Sequence, residues 1–504
     1  MNADGKLDRG VIMIASVVVL GAAMTILDTT IVNVAIDRLA IDFHTDLSTI
    51  QWVATGYMLA LATVIPITGW ASERFGTKRL YMISVGLFVL GSALSGAAWS
   101  AESLIVFRVL QGLGGGMVMP AGMTIMTRAA GPQRIGRVMA IVGVPMLLAP
   151  TLGPILGGWL VDDISWRWIF YVNVPIGAIT LAMAARILPR DKPEPAHRLD
   201  WLGLLLVSPG LAALVYALSE TASSGGIGSV KVLVPFVAGT ILVVAFVLHA
   251  LRVDYALIDM RLFKNRTVSA SALTTVLFGA AFFGAMLLLP LYYQVVRGES
   301  ALTAGLLLAP QGIGAMFTMP IAGRMTDRTG AGRIVLVGLV LCTLGTIPLT
   351  QVSFTSSYWL VSGALFVRGL GMGATMMPSM SAAMQTLTHA AVPRATTALN
   401  IVMRVGGAIG TALLAVVLQQ QITERLPAAS GQGLGAAQNV PAAARAQVGP
   451  ALADAFAHTF WWAIALTVLA FLPALLLPRH KPELAPEERP PDAAPEEVPE
   501  PIGV

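Results

Sequence analysis

A chain of 504 residues with 56% hydrophobic and only 12% charged side chains cannot cover a water-facing surface, because soluble domains carry roughly 25% charged residues. The same apolar excess excludes a disordered chain, and the 50 Gly and 30 Pro follow no collagen-like period. A mean hydropathy of +0.76 fits a polytopic membrane protein, and the net charge of +5 is then expected from basic loops on one face of the bilayer rather than from nucleic-acid binding.

Fourteen apolar segments are long enough to span a bilayer as helices, since lone strands cannot satisfy their backbone in lipid. They cover 11–35, 48–70, 80–99, 102–127, 138–160, 167–188, 201–219, 230–251, 267–294, 301–322, 334–353, 357–386, 396–418 and 457–477. Met1 to Gly10 leads into the first without a cleavage site for a signal peptide. With that segment inside, 23 of the 32 Lys and Arg fall on its side and six on the other. This bias predicts a multi-pass plasma-membrane protein with both termini cytoplasmic. The remaining basic residues, Arg108, Arg368 and Arg404, lie within spans. Residues 1–10 are read as a cytoplasmic tail and 479–504, rich in Pro and acids, as a disordered one. The Ala-, Gly- and Gln-rich stretch 419–454 is expected to be a mobile external loop. The lone Cys342 excludes an internal disulfide or a thiolate-rich metal site and reads as a buried thiol.

In chain order, the first feature with chemical content is Asp28. Of 27 acidic residues it alone lies well inside a span, where a charge costs roughly 2.5–3.5 kcal/mol on insertion scales and marks a functional candidate. Arg108 in the fourth span lies at a similar depth, so the two are expected as a proton-coupling pair, the alternative being a static ion pair. After the second span the turn reads Gly69-Trp-Ala-Ser-Glu73-Arg74-Phe-Gly76-Thr-Lys78-Arg79. After the tenth it reads Gly323-Arg-Met-Thr-Asp327-Arg328-Thr-Gly330-Ala-Gly-Arg333, with Gly, acid, Arg, Gly and Arg at the same spacing 254 residues later. Gly112-Leu-Gly114 and Gly369-Leu-Gly371 echo this at an offset of 257. The offset spans eight helices, and an even number means a parallel repeat. The arrangement is therefore six spans (11–190), two inserted spans (200–252) and six more (266–478), as in alternating-access transporters.

These residues resemble the major facilitator superfamily. Gly69 to Arg79 looks like its motif A, with Glu73 for the usual Asp and Thr77 at a usual basic position. Leu104-x-x-x-Arg108-x-x-Gln111-Gly112-x-Gly114 is similar to motif B. Gly143 to Gly158, with Pro150, Gly153-Pro154 and Gly157-Gly158, is similar to motif C of its antiporters. Leu27-Asp28-Thr29-Thr30-Ile31-Val32-Asn33-Val34-Ala35 and Trp166-Arg167-Trp168-Ile169-Phe170-x-x-Asn173-x-Pro175-x-Gly177 resemble the fourteen-helix drug:proton antiporters of the EmrB/QacA type. The resemblance implies the superfamily fold, proton coupling and export of amphiphilic small molecules; the chain is expected to work in the lipid bilayer as a monomer, with no cofactor and the proton gradient as its energy source. An uptake symporter and a non-transporting receptor on the same fold are the alternatives. No HExxH, metal-ligand cluster, Ser/His/Asp arrangement or Walker A sequence points to an enzyme or an ATP-driven pump.

The gating latch is expected at Gly69, Glu73, Arg74, Gly76, Lys78, Arg79, Asp327 and Arg328, where solvated loop charge is the plainer reading. Gly143, Pro145, Pro150, Gly153, Pro154, Gly157 and Gly158 are expected to bend the fifth span and to form a tight, leak-limiting interface. Asn33, Trp52, Tyr57, Phe282, Phe283, Tyr292, Tyr293, Met372, Met376, Met377 and Arg404 are candidates to line a substrate cavity with Asp28. Arg404 reads either as a contact for an anionic or polar substrate group or as a helix-pairing residue, and Arg368 as helix pairing.

Overall fold

The computed structural model describes residues 8–131, 134–190, 198–223, 229–387, 391–426 and 442–480. The described residues form helices and no strand. The first six expected spans supply α1 (Arg9–Asp42), α2 (Leu47–Val64), α3 (Thr68–Phe75), α4 (Thr77–Gly96), α5 (Ala101–Ala130), α6 (Ile135–Asp163), α7 (Trp168–Tyr171) and α8 (Asn173–Ile187). The inserted pair is α9 (Trp201–Ser223) and α10 (Val230–Arg252). The rest are α11 (Arg266–Leu291), α12 (Ala301–Thr329), α13 (Ala331–Thr346), α14 (Tyr358–Gln385), α15 (Val392–Arg425) and α16 (Ala442–Leu469). Among the described residues thirteen segments are long and apolar enough to cross a membrane, and the 29-residue α6 occupies the fifth expected span.

Prolines and their lost N–H groups account for one break inside a span. Pro66 sits in a 3-10 turn, Ile65–Ile67, that separates α2 from α3. Several expected ends move outward. α1 continues to Asp42 and α15 covers Val392–Arg425. The stretch 419–454, expected as a mobile loop, is helical through Arg425 and again from Ala442. Its alanines are the best helix formers, and that preference outweighs the drop in hydropathy. Residues 427–441, and the tail from 481 onward, lie outside the described residues.

Small residues set the packing, because helices in lipid associate through close van der Waals contact. A Cβ on Gly112 would stand 2.5 Å from the Tyr57 carbonyl oxygen of α2, and one on Gly114 would stand 2.5 Å from the Phe88 nitrogen of α4. α5 is thereby clamped between its neighbours. Along α6, Gly153 and Gly157 face Thr30 and Ile31 of α1, while Gly143 faces Met319 of α12 and Met377 of α14. Gly158 has no atom within 4 Å of an added Cβ, so it takes no part in the tight interface expected of it. The side chains of Pro145, Pro150 and Pro154 lie outside the described ones. α9 touches both α2 and α15, and Ser208 of α9 donates to the Thr63 carbonyl at 2.6 Å.

These contacts separate two glycines of similar helical setting. Gly114→Ala is expected to destabilise the folded protein by about 1–3 kcal/mol, the usual cost of overpacking, whereas Gly158→Ala is expected to be neutral or slightly stabilising. Thermal unfolding of the purified protein in detergent reads both. A Gly114→Ala transition at the wild-type temperature would contradict the clamp.

Candidate functional site

Asp28 has no exposed surface. Its Oδ2 accepts from Arg108 Nη1 at 2.6 Å, and its Oδ1 accepts from Gln111 Nε2 at 2.9 Å and Asn173 Nδ2 at 2.8 Å. Donors on α5 and α8 thus converge on a carboxylate from α1. Arg108 is anchored further by Gln111 Oε1 at 2.8 Å and by the Val53 carbonyl at 3.3 Å, and its guanidinium lies 4.1 Å from the centre of the Tyr57 ring. Asn173 also donates to Ser92 at 3.0 Å, and Ser92 donates to the Phe170 carbonyl. The expected pair of Asp28 and Arg108 is in contact, and the site is larger than the pair. Gln111 and Asn173 stand in the family-like motifs, but neither was an expected site residue.

An ionised carboxylate only accepts hydrogen bonds, so it can satisfy all three donors. Protonation adds an O–H donor and removes the charge that strengthens all three hydrogen bonds. Protonation of Asp28 would therefore weaken contacts to α5 and α8 together.

The repeated turns close one end of the molecule, with partners that differ from those expected. Glu73 forms a bidentate pair with Arg394 at the start of α15, at 2.9 and 3.0 Å. Asp327 accepts from the backbone N–H groups of Gly136 at 2.8 Å and Arg137 at 3.3 Å, pairs with the Arg137 Nε at 3.4 Å, and accepts from Gln385. Each acid grips the first turn of the helix that the repeat makes equivalent in the opposite set. An acid beside exposed helix N–H groups is also favoured by the helix dipole. Arg74, Arg79 and Arg328 are exposed, so none is the basic half of a latch. Lys78 instead donates to the carbonyls of Ala185 and Leu188 at 2.8 and 2.7 Å, tying α4 to the end of α8.

The motif glycines have two separate jobs. Gly76 and Gly330 turn the chain at φ +83° and +85°, a region costly for other residues. Gly323 permits close approach, since its added Cβ would stand 2.6 Å from the Gly136 carbonyl, whereas one on Gly69 would meet Pro393 and Arg394 at an ordinary 3.5 Å. Arg137 and Arg394 are themselves 257 residues apart, the offset that joins Gly112 to Gly369. The repeat thus carried a signal for the missing partners.

The expected cavity residues do not gather in one place. Met372, Met376 and Met377 are buried in a cluster of nine methionines, with Met123, Met139, Met319, Met380, Met384 and Met403, that joins α5 and α6 to α12, α14 and α15. Met side chains repack readily, which suits a seam that must open. Tyr292 and Tyr293 belong instead to a separate core with Phe456 and Phe460, where the Tyr292 hydroxyl donates to the Ser353 carbonyl. Trp52 is exposed and stacks on Tyr216 of α9, so it packs against the inserted pair. Phe282 and Phe283 meet edge to face at 4.8 Å. Tyr57 lies against Arg108, and Arg404 is half-buried with its Nε enclosed and unpaired. The Asn33 side chain lies outside the described ones. Arg368 is buried and donates to Gln311, the helix-pairing role expected of it.

A family model described as Major Facilitator Superfamily matches residues 18–411. The chain is 44% identical over 494 residues to "Multidrug resistance protein B homolog" of Mycobacterium tuberculosis, covering 94% of this chain and 92% of that protein. It is 34% identical to "Multidrug export protein EmrB" of Haemophilus influenzae, across 78% of each. In fold it is similar to a solved proton:xylose symporter, XylE, with a TM-score of 0.59 at 13% identity over 92% of this chain and 94% of that one.

If the first latch is a cross-set ion pair, reversing one charge must be repaired by reversing the other. Glu73→Arg is expected to reduce transport to about a tenth or less, because it sets two cations against each other in a largely buried place. Adding Arg394→Glu is expected to recover several-fold of that loss. Equal defects in the single and double variants, at matched membrane levels, would rule the latch out.

Proposed function

We infer the working cycle from one premise: the chain belongs to the Major Facilitator Superfamily and is a drug-efflux transporter of the membrane. Its task is transport rather than catalysis. Our reading is that it exchanges protons for amphiphilic small molecules by alternating access, with the proton gradient as its only energy source.

The observation that carries this reading is the enclosed Asp28 with its three side-chain donors. No other acid was expected inside a span. A carboxylate whose protonation weakens charge-assisted bonds to two other helices gives the gradient something mechanical to act on. The two latches supply the other half of the cycle. They hold one end shut in the present state, and they must break when the two six-span sets rock apart at that end.

We place the latched end on the cytoplasmic side of the plasma membrane, a reading that the Lys and Arg bias of 23 to 6 supports. The state described is then closed to the cytoplasm. A proton entering from outside would neutralise Asp28, loosen Arg108, Gln111 and Asn173, and favour the state in which the latches part. Release of that proton to the cytoplasm, with substrate loading, would reset the pair.

Asp28→Asn removes the titratable group and keeps a side chain of the same size. It is expected to abolish pH-gradient-driven accumulation of substrate in inside-out vesicles with an acid interior, while leaving the amount of protein in the membrane normal. Full gradient-driven transport by Asp28→Asn would refute the assignment. Accumulation by wild type only when the interior is alkaline would identify a symporter instead.

A further inference from the structure

The repeat makes two seams between the six-span sets equivalent, α6 against α12 and α15 against α2, yet they are built differently. At the first, α12 runs unbroken from Ala301 to Thr329 and packs along α6, with Gly323 against the Gly136 carbonyl and Met319 against Gly143. At the second, Pro66, which stands 254 residues before Pro320 of α12, ends α2 in a 3-10 turn. α15 meets that turn and α3, but the helix that lies along the body of α2 is α9, which also packs on α15. A helix of the inserted pair thus takes, at this seam, the place that the opposite set takes at the other. Behind it α5 touches both α2 and α15, so the gap that α9 fills opens onto the helix carrying Arg108.

α9 is held unevenly along its length. At the latched end Asp200, just before its first residue, accepts from the Gly203 N–H at 2.8 Å and the Leu257 N–H at 3.3 Å, and it lies 2.9 Å from the His249 Nε2 of α10. Val207 and Leu211 of α9 share a core with Phe246 of α10, with Leu257 and with Ala398 of α15. About 10 Å along the helix, at 1.5 Å per residue, Ser208 donates to the Thr63 carbonyl at 2.6 Å, beside the break at Pro66. Farther out, Tyr216 stacks on the half-exposed Trp52 of α2 with ring centres 6.0 Å apart. Pro209 lies inside α9 and lacks the N–H that would bond one turn back, so the helix bends most easily there. α9 is therefore anchored at one end, jointed near its middle, and joined to α2 beyond the joint by a ring stack, a modest contact to part.

A permanent wall needs none of this, because the α6–α12 seam shows that the repeated helices can close directly on one another. We propose that α9 is a lateral gate: bending away from α2 about its anchored end, it opens a passage between α2 and α15 through which amphiphiles dissolved in the bilayer reach the space between the two six-span sets. The substrates that use the passage are those whose apolar part is kept in lipid by the hydrophobic effect, since they arrive at α9 without first crossing water. The proposal rests on the efflux reading for the direction in which these molecules then travel and not for the passage itself.

The test joins α9 to α2 with a bond that can be undone. Trp52→Cys and Tyr216→Cys are combined in the full-length protein, whose own Cys342 is buried, and bridged by a bifunctional methanethiosulfonate that reductant cleaves. Two fluorescent amphiphiles with the same head are compared in nanodiscs and proteoliposomes, one carrying a long alkyl chain and resident in the lipid, the other short and water-soluble. Bridging is expected to slow binding of the lipid-resident dye about tenfold or more, to leave the soluble dye within about twofold, and to be reversed by reductant, because a covalent tie replaces a stack that parts readily. Unchanged binding of the lipid-resident dye in fully bridged protein overturns the proposal, as does equal slowing of both dyes. Should the double-cysteine protein fail to reach the membrane, Ser208→Ala decides: entry of the lipid-resident dye about threefold faster, the effect of losing one hydrogen bond, supports the gate, and entry at the wild-type rate overturns it. If dye binding depends on the bridge but neither dye moves under an imposed gradient, the passage stands and the efflux reading fails.

Discussion

A carboxylate with no exposed surface at Asp28 obliges the helices around it to supply donors. That demand places Arg108 and Gln111 on one face of α5 and Asn173 at the start of α8. It also explains neighbouring features that do not touch the acid. Arg108 needs the Val53 carbonyl and the Tyr57 ring to hold its fork in place, and these require α2 to lie close to α5. Gly112 allows that approach, because any side chain there would meet the Tyr57 backbone. The motif Arg108, Gln111, Gly112 is thus one device, in which two residues serve the carboxylate and the third permits the helix contact that steadies them.

The latches answer a different constraint. An interface that must open and close needs contacts that are specific when made and tolerable when broken. Acids at helix starts meet that need. Glu73 with Arg394, and Asp327 with Gly136 and Arg137, lie near the ends of their helices, where water can replace the lost partners once the seam parts. The methionine cluster behind them seals without fixing a register, since flexible thioethers repack at low cost. In the proposed cycle the ion pairs define the closed state, and the soft methionine core allows it to open.

Much of this was legible in the sequence, for physical reasons that also set the limit. Hydropathy exposes spans because lipid forces every backbone group to pair within its own helix, and an acid in such a span stands out because it is costly. Facing is another matter. A helix apolar on all sides has no amphipathic stripe, so Trp52, Tyr292 and Tyr293 were assigned to a cavity by residue type alone, while packing sends them to the inserted pair and to a separate core. Arg74 and Arg328 misled through proximity. A neighbouring Arg in sequence is the easier partner to imagine, but residues adjacent on a helix do not face each other. The cross-set partners, Arg137 and Arg394, were encoded in the 257-residue offset, a relation that becomes informative only once two copies are laid side by side.

The same offset shows where the repeat stops being symmetric. Gln111, which serves Asp28, corresponds to Arg368, which donates to Gln311 of α12. The second set therefore carries a cation where the first has an amide, and no acid deep in a span to receive it. With Arg404 also on that side, the latches are paired alike while the charge between them is not. Both latches lie at the same end and bear on one opening. In the proposed cycle the asymmetric interior gives the proton contacts in the first set that the second set does not repeat.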